Sequence, residues 1–265
     1  MVKQVTWFEK YRPDKLSDYV CDDISRKRYQ NLIDTSLPQH LLFGGEAGTG
    51  KTTLSEIICK SIDCDYMVIN GSEETSVDDI RTKVKSYICT NSFTGSGIKV
   101  IIYDEMEYLS KNGQAILRKY MEEFIHRSRF ILCCNELNKI IEPLKSRCSV
   151  MNLKSPTPKM VRERLIHILK NENIKHTQQT LNEYINIFYC PRNDFRRVIN
   201  ELQNNCIDNQ FLELESNGMN VEYDKVKEYY KRMNYDVQYS FRLSDNESQE
   251  LKLLQTNNKF LFNSE

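Results

Sequence analysis

Apolar residues follow two rhythms along this chain. Short continuous runs occur at Leu41-Leu42-Phe43, Tyr66-Met67-Val68-Ile69, Val100-Ile101-Ile102-Tyr103, Phe130-Ile131-Leu132-Cys133-Cys134 and from Ser149 to Leu153. Runs of this length read as strands buried on both faces, as in a parallel sheet covered by helices. Between them, apolar residues recur every three or four positions. That spacing predicts helices from Ile24 to Ile33, opening at Thr53-Leu54, opening at Ser76-Val77-Asp78-Asp79-Ile80, and from Ser110 to Phe124. Strands alternating with helices predict an α/β fold with a five-stranded parallel sheet. After Pro156 and Pro158 the strands stop. Helical spacing continues over 159–170, 180–189 and 194–206, a small helical domain, and the remainder is poorer, with a helix expected over 221–233 and a short apolar stretch at 251–262. The expected domains are 1–154, 155–207 and 208–265.

Between the first strand and its helix lies Gly45-Glu46-Ala47-Gly48-Thr49-Gly50-Lys51-Thr52. It fits G-x-x-x-x-G-K-[ST], a loop whose strand–loop–helix setting makes it a phosphate binder rather than a glycine-rich turn. Its glycines allow a tight turn that converges N–H groups on phosphate oxygens, and the helix adds its positive dipole end. Lys51 supplies charge for the outer phosphates, and Thr52 is placed to ligate Mg²⁺, with Thr53 following in the helix.

The third strand ends in Asp104-Glu105. Open parallel sheets bind ligands at their strands' carboxyl ends. An Asp there can hold Mg²⁺ through its water shell, and the next Glu can orient and deprotonate an attacking water. A strand ending in acids is a weak signal alone and a strong one downstream of a phosphate loop.

Other residues admit two readings. Tyr11-Arg12-Pro13 can line an adenine face or simply pack on the core. Asn135, after the fourth strand, can meet a γ-phosphate or cap a turn. Lys111, Gln114 and Arg118 fall towards a second face of their helix, a solvated polar face unless a polyanion uses it. Asn193-Asp194 can cap the last lid helix, which places Arg196 and Arg197 in its first turn. Cations are unfavourable at that end of the dipole, so a phosphate ligand would explain them.

Composition narrows the classes. The 265 residues include 37 basic and 37 acidic ones, so bulk charge points to neither nucleic acid nor membrane, and any DNA site must be a local patch. Nine cysteines occur without a C-x-x-C, and the four histidines have no ligand spacing to a cysteine pair. Cys59, Cys133 and Cys134 sit in apolar runs, where cysteine acts as a small hydrophobe, so reduced intracellular thiols are expected. No run approaches a membrane span and the N-terminus lacks an apolar signal core, which predicts a soluble intracellular protein without a membrane partner.

In order, these pieces resemble the small subunits of replication factor C, the sliding-clamp loader of the AAA+ superfamily. The resemblance rests on Trp7…Glu9-Lys10-Tyr11-Arg12-Pro13, the phosphate loop, Arg129–Asn135 running on to Lys139-Ile140-Ile141-Glu142-Pro143-Leu144-Lys145-Ser146-Arg147-Cys148, and Asp194-Phe195-Arg196-Arg197…Asn200-Glu201-Leu202-Gln203. It covers about residues 5 to 206. The Ser-Arg-Cys sequence is far more specific than the phosphate loop.

The resemblance implies an AAA+ P-loop NTPase with a helical lid and a short helical C-terminal region, using ATP and Mg²⁺. Tyr11, Arg12, Pro13, Gly45, Gly48, Thr49, Gly50, Lys51, Thr52 and Thr53 would bind nucleotide, with Thr52 and Asp104 on the metal. Glu105 would be the catalytic base, Asn135 and Arg196 the two sensors, and Arg147 an arginine finger for the neighbouring subunit's γ-phosphate. Such fingers are worth roughly 10³–10⁵ in rate. Arg81, Lys85, Lys111 and Arg118 would meet DNA phosphates without reading bases, with Arg81 also in communication with Glu105. The clamp would dock on an exposed apolar region around Ile88 and Phe93.

Three departures from the family stand out. Glu46 and Ala47 replace the usual loop prolines, and Asn193 replaces a glycine, mildly because Asn tolerates left-handed backbone. Only residues 208–265 remain for the family's helical collar, so a reduced or divergent collar is expected. The resulting reading is an ATPase subunit that loads the polymerase clamp onto primer–template DNA within a hetero- or homo-oligomer, pentameric in the family. Its compartment would be the nucleus or a viral replication compartment in a eukaryotic or viral setting. The alternatives are an AAA+ loader for a helicase or checkpoint clamp, and a nucleotide-binding scaffold that does not hydrolyse.

Overall fold

The computed structural model describes residues 5–73, 80–92, 94, 96–189, 194–207 and 210–211. They fall into two compact units: residues up to 168 together with 194–204, and 169–189 together with 205–207 and 210–211.

The first unit is built on five parallel strands: β1 (His40–Gly44), β2 (Asp65–Asn70), β3 (Lys99–Asp104), β4 (Ser128–Cys134) and β5 (Cys148–Asn152), in the order β2-β3-β4-β1-β5. Its helices are α1 (Trp7–Lys10), α2 (Asp23–Asp34), α3 (Lys51–Ser61), α4 (Lys85–Cys89), α5 (Lys111–Glu123), α6 (Glu142–Lys145), most of α7 (Pro158–Asn171) and α9 (Phe195–Asn204). The predicted strands and helices of the described stretches all appear, with ends shifted by a residue or two.

Alternate residues of each strand serve opposite faces. Leu41, Phe43, Val100, Ile102, Ile131 and Cys133 join Leu54, Ile57 and Ile58 of α3 and Tyr29 and Leu32 of α2 in one core. Leu42, Ile101, Tyr103, Phe130, Leu132 and Cys134 join Leu117 and Met121 of α5 in the other. The central strands β1, β3 and β4 read as unbroken apolar runs because both faces are covered, whereas the edge strands β2 and β5 leave Val68 and Val150 exposed.

Several local choices set the helix ends. The Asp22 carboxylate caps α2 by accepting from Ser25 N at 2.9 Å, and the Ser110 hydroxyl caps α5 by accepting from Gly113 N at 3.2 Å. Pro143 near the start of α6 costs nothing, since the first turn lacks acceptors for its N–H groups.

Two expectations are corrected here. Gln114 is 1% exposed, not part of a polar face. Its spacing to Leu117 and Met121, three and seven residues on, places it on the core stripe of α5, where its amide donates to Leu109 O and Lys139 O and accepts from Ile141 N. Ile88 is likewise buried, one helical turn from buried Val84, and forms part of the core rather than an exposed docking site. Phe93, Asn193, the helix start at 76–79 and the elements expected over 221–233 and 251–262 lie outside the described residues.

The second unit holds α8 (Gln178–Phe188) and a short antiparallel pair, β6 (Cys206–Ile207) with β7 (Gln210–Phe211). Thr177 and Thr180 form a reciprocal cap at the start of α8, and Tyr184 packs edge-on to Phe211 with ring centres 5.4 Å apart. Among the described residues, no helix is long and apolar enough to cross a membrane, and the described cysteines are free thiols.

Candidate active site

Parallel pairing brings three strand ends to one edge of the sheet. β4 lies between β1 and β3, with Gly44 opposite Cys134 and Tyr103 opposite Leu132. The phosphate loop after β1, Asp104 at the end of β3 and Asn135 after β4 therefore meet, although they lie far apart in the chain.

The loop is held by its own polar atoms. Glu46 O accepts from Thr49 N at 3.4 Å, Thr49 Oγ1 at 2.9 Å and Lys51 Nζ at 2.8 Å. Glu46 and Ala47 are themselves exposed, so their side chains do not disturb this arrangement. Gly48 and Gly50 have φ of +77° and +84°, where a side chain is strained. A Cβ on Gly48 would come within 2.3 Å of Asp194 Oδ1, and one on Gly50 within 2.9 Å of the Tyr19 ring.

Lys51 is 8% exposed, and burial lowers its ammonium pKa from the ordinary lysine value. Its three donors go to Gly45 O at 2.7 Å, Glu46 O at 2.8 Å and Asn135 Oδ1 at 2.8 Å. The Thr52 hydroxyl contacts Asp104 Oδ2, while Asp104 Oδ1 accepts from Glu105 N at 2.9 Å. Glu105 takes left-handed backbone (φ 51°, ψ 42°), a costly conformation for a residue with a side chain. Gly71 N donates to Asp104 O at 2.8 Å, tying the end of β2 to this turn.

These residues fit a magnesium-nucleotide. Mg²⁺ keeps most of its waters and takes one or two protein oxygens beside substrate phosphates, and a Thr hydroxyl touching an Asp carboxylate supplies that pair. Thr53 is half-buried in the first turn of α3.

The lead-in is ordered by contacts of its own. Arg12 Nη2 pairs with Glu56 of α3 at 3.2 Å, Arg164 of α7 donates to Tyr11 O at 2.5 Å, and Pro13 is half-buried. Arg12 Nε is buried with no partner among the described residues. Asp194 caps α9 by accepting from Arg196 N at 2.9 Å. The Arg196 guanidinium lies 3.7 Å from the same carboxylate and 5.5 Å from the Phe8 ring centre. Arg147 is on the surface, in contact with Glu122, Pro143 and Ser146 rather than with its own phosphate loop. Arg81, Lys85 and Lys111 are exposed and Arg118 half-buried; the π-helical turn Ile80–Val84 carrying Arg81 packs on α5, which carries Lys111 and Arg118.

Sequence reading passed over two residues here and saw only part of the role of a third. Tyr19 donates its buried hydroxyl to Thr49 O at 2.8 Å, behind Gly50, and no pattern marks it. Glu107 accepts from Asn135; its signal was the acidic spacing Asp104-Glu105-Met106-Glu107. Asp194 was read as a cap, and its packing on Gly48 was not legible.

The sheet order, the phosphate loop and the acidic strand end define the fold of an AAA+ P-loop NTPase. Residues 41–155 match the family model described as ATPase family associated with various cellular activities (AAA). The chain is similar in sequence to replication factor C small subunits. It is 37% identical over 206 residues to that of Halobacterium salinarum, covering 76% of this chain and 63% of the relative. It is 36% identical over 205 residues to that of Methanococcus maripaludis, covering 76% and 64%. The chain thus spans a little under two thirds of the length of these relatives. The fold is similar to the RuvB Holliday junction branch migration motor of Thermotoga maritima, with a TM-score of 0.63, 18% identity, and 85% of this chain and 74% of that chain covered.

Proposed function

We propose that this chain is an ATPase subunit of a sliding-clamp loader, acting in DNA replication with other loader subunits, the clamp and primer–template DNA. The observation that carries the proposal is the meeting of Lys51, Thr52, Asp104 and Asn135 at one sheet edge, in a chain that resembles replication factor C small subunits.

The chemistry follows from these residues. Lys51 exchanges its loop carbonyls for the outer phosphates, and the loop N–H groups take the remaining phosphate oxygens. Thr52 and Asp104 would hold Mg²⁺, which when bound would supply positive charge beside the phosphates. Glu105 accepts a proton from the attacking water, and Asn135 contacts the terminal phosphate. Arg147 serves the neighbouring subunit's nucleotide, and Arg196 couples the lid to ATP. Arg81, Lys85, Lys111 and Arg118 form the phosphate-contacting patch for DNA. Tyr11, Arg12 and Pro13 adjoin the base. The domains 1–154, 155–207 and 208–265 would be the nucleotide domain, the lid and a C-terminal region.

The test measures ATP hydrolysis by the assembled loader with clamp and primed DNA, using wild type and Glu105→Gln. Turnover that needs both clamp and DNA and is lost in Glu105→Gln supports the proposal. Equal rates for the two proteins, or no response to clamp and DNA, would overturn it.

A further inference from the structure

Glu107 has no place in the roles assigned above, yet it reaches the middle of the site. Left-handed backbone at Glu105 and the 3-10 turn Met106–Tyr108 bring it back against the end of β4. Its Oε1 accepts twice from one residue, from Asn135 N at 3.1 Å and Asn135 Nδ2 at 2.5 Å. Its Oε2 is buried with no partner among the described residues.

This double contact decides which way the Asn135 amide points. Its two ends are nearly alike in size, so hydrogen-bond partners set the orientation. With Nδ2 on the carboxylate, Oδ1 faces Lys51 Nζ at 2.8 Å. In the free chain both Lys51 and Glu107 hold the amide in this sense. Once Lys51 turns its donors to a phosphate, Glu107 alone maintains it. The second Nδ2 hydrogen then remains available to an anion. A flipped amide would set Oδ1 against the Glu107 carboxylate, a repulsive contact. Without Glu107 the amide is free to turn, and the Nδ2 hydrogen is no longer held for a terminal phosphate that a diphosphate lacks.

We infer that Glu107 is a positioning residue that fixes the Asn135 amide and thereby sets the site's preference for nucleoside triphosphate over diphosphate. The inference rests on the nucleotide reading above.

The test is equilibrium binding of a fluorescent, non-hydrolysable ATP analogue and of fluorescent ADP, with Mg²⁺, to the full chain. Glu107→Ala is expected to weaken triphosphate binding about tenfold, the size of one hydrogen bond to a charged group, and diphosphate binding by less than about twofold. Glu107→Gln keeps an acceptor oxygen and should stay within about threefold of wild type. The double variant Glu107→Ala with Asn135→Ala should bind no more weakly than Asn135→Ala alone, because Glu107 acts through that amide. Equal weakening for both nucleotides, or multiplicative losses in the double variant, would overturn the inference. If Glu107→Ala loses the wild-type circular dichroism spectrum, Glu107→Ser takes its place with the same expectations. Failure of wild type to bind either nucleotide overturns the nucleotide reading itself, and this inference with it.

Discussion

The Arg147 guanidinium lies on the Glu122 carboxylate, with Nε 2.6 Å and Nη2 2.5 Å from the same Oε1, while Nη1 donates to Pro143 O at 2.7 Å. Both side chains remain accessible, at 37% and 49% exposure, so the pair orients the guanidinium at the surface without sequestering it. Under the clamp-loader proposal this arginine serves a neighbouring subunit's site rather than its own.

Arg147→Ala should therefore lower turnover of the assembled complex by roughly 10³-fold or more while leaving nucleotide affinity of the isolated chain unchanged. Mixing Lys51→Ala chains with Arg147→Ala chains should restore part of the turnover, since some seams then pair an intact loop with an intact finger. A mixture as silent as either variant alone contradicts a shared pocket. Glu122→Ala should leave Tm within about 4 °C of wild type, because exposed pairs contribute about 1 kcal/mol at most.

Gly48→Ala combines left-handed backbone with a Cβ aimed at Asp194. The loop must shift, so ATP affinity should fall at least about tenfold, with a backbone cost of about 1–2 kcal/mol. Adding Asp194→Ala removes the side-chain collision but leaves the 2.7 Å approach to the Asp194 Cα and the backbone strain, so only part of the affinity should return. Isothermal titration of both variants checks this; wild-type affinity in Gly48→Ala would show that the loop does not need this conformation.

Gln114→Leu preserves volume but strands two carbonyls and one N–H among apolar neighbours. Unpaired buried groups cost about 1–3 kcal/mol each, so a loss of about 3 kcal/mol or more is expected, seen as a fall in Tm of about 6–12 °C. A melt within about 2 °C of wild type would show that these groups find other partners.

His40 is buried, accepts from Phe130 N at 3.1 Å and meets Met121 O at 3.3 Å, and burial pushes its pKa down to about 4. An unfolded histidine titrates near about 6.5, so between those values the unfolded chain binds more protons than the native one. Its contribution is complete above about pH 6.5 and is lost as pH falls towards about 4, with about 2 kcal/mol gone by pH 5. Urea unfolding of wild type and His40→Gln at pH 7 and pH 5 should show the smaller pH dependence in the variant. Parallel losses in the two would mean that other groups carry the acid sensitivity.

Gln114 and Ile88 mark where sequence reading stopped. Gln114 was assigned to the wrong face of its helix, and Ile88 to an exposed apolar region although it is buried on a short helix. A polar residue on an apolar stripe looks solvated until its three partners are known, and those come from Leu109, Lys139 and Ile141. Ile88 follows Val84 by one turn, but that relation has meaning only once α4 is seen to cover the sheet.

The strands, the phosphate loop and the acids at the end of β3 were set by sequence alone, because each depends on local spacing: burial on alternate faces, glycines where backbone turns left-handed, a carboxylate where a strand stops. What needed the tertiary structure was every contact between segments far apart in the chain. Tyr19 behind Thr49, Asp194 against Gly48, Glu107 on Asn135 and Glu122 under Arg147 all join different elements. Strand order determines those meetings, and it follows from how helices and sheet share their buried surface, a property of the whole domain that no short window of residues contains.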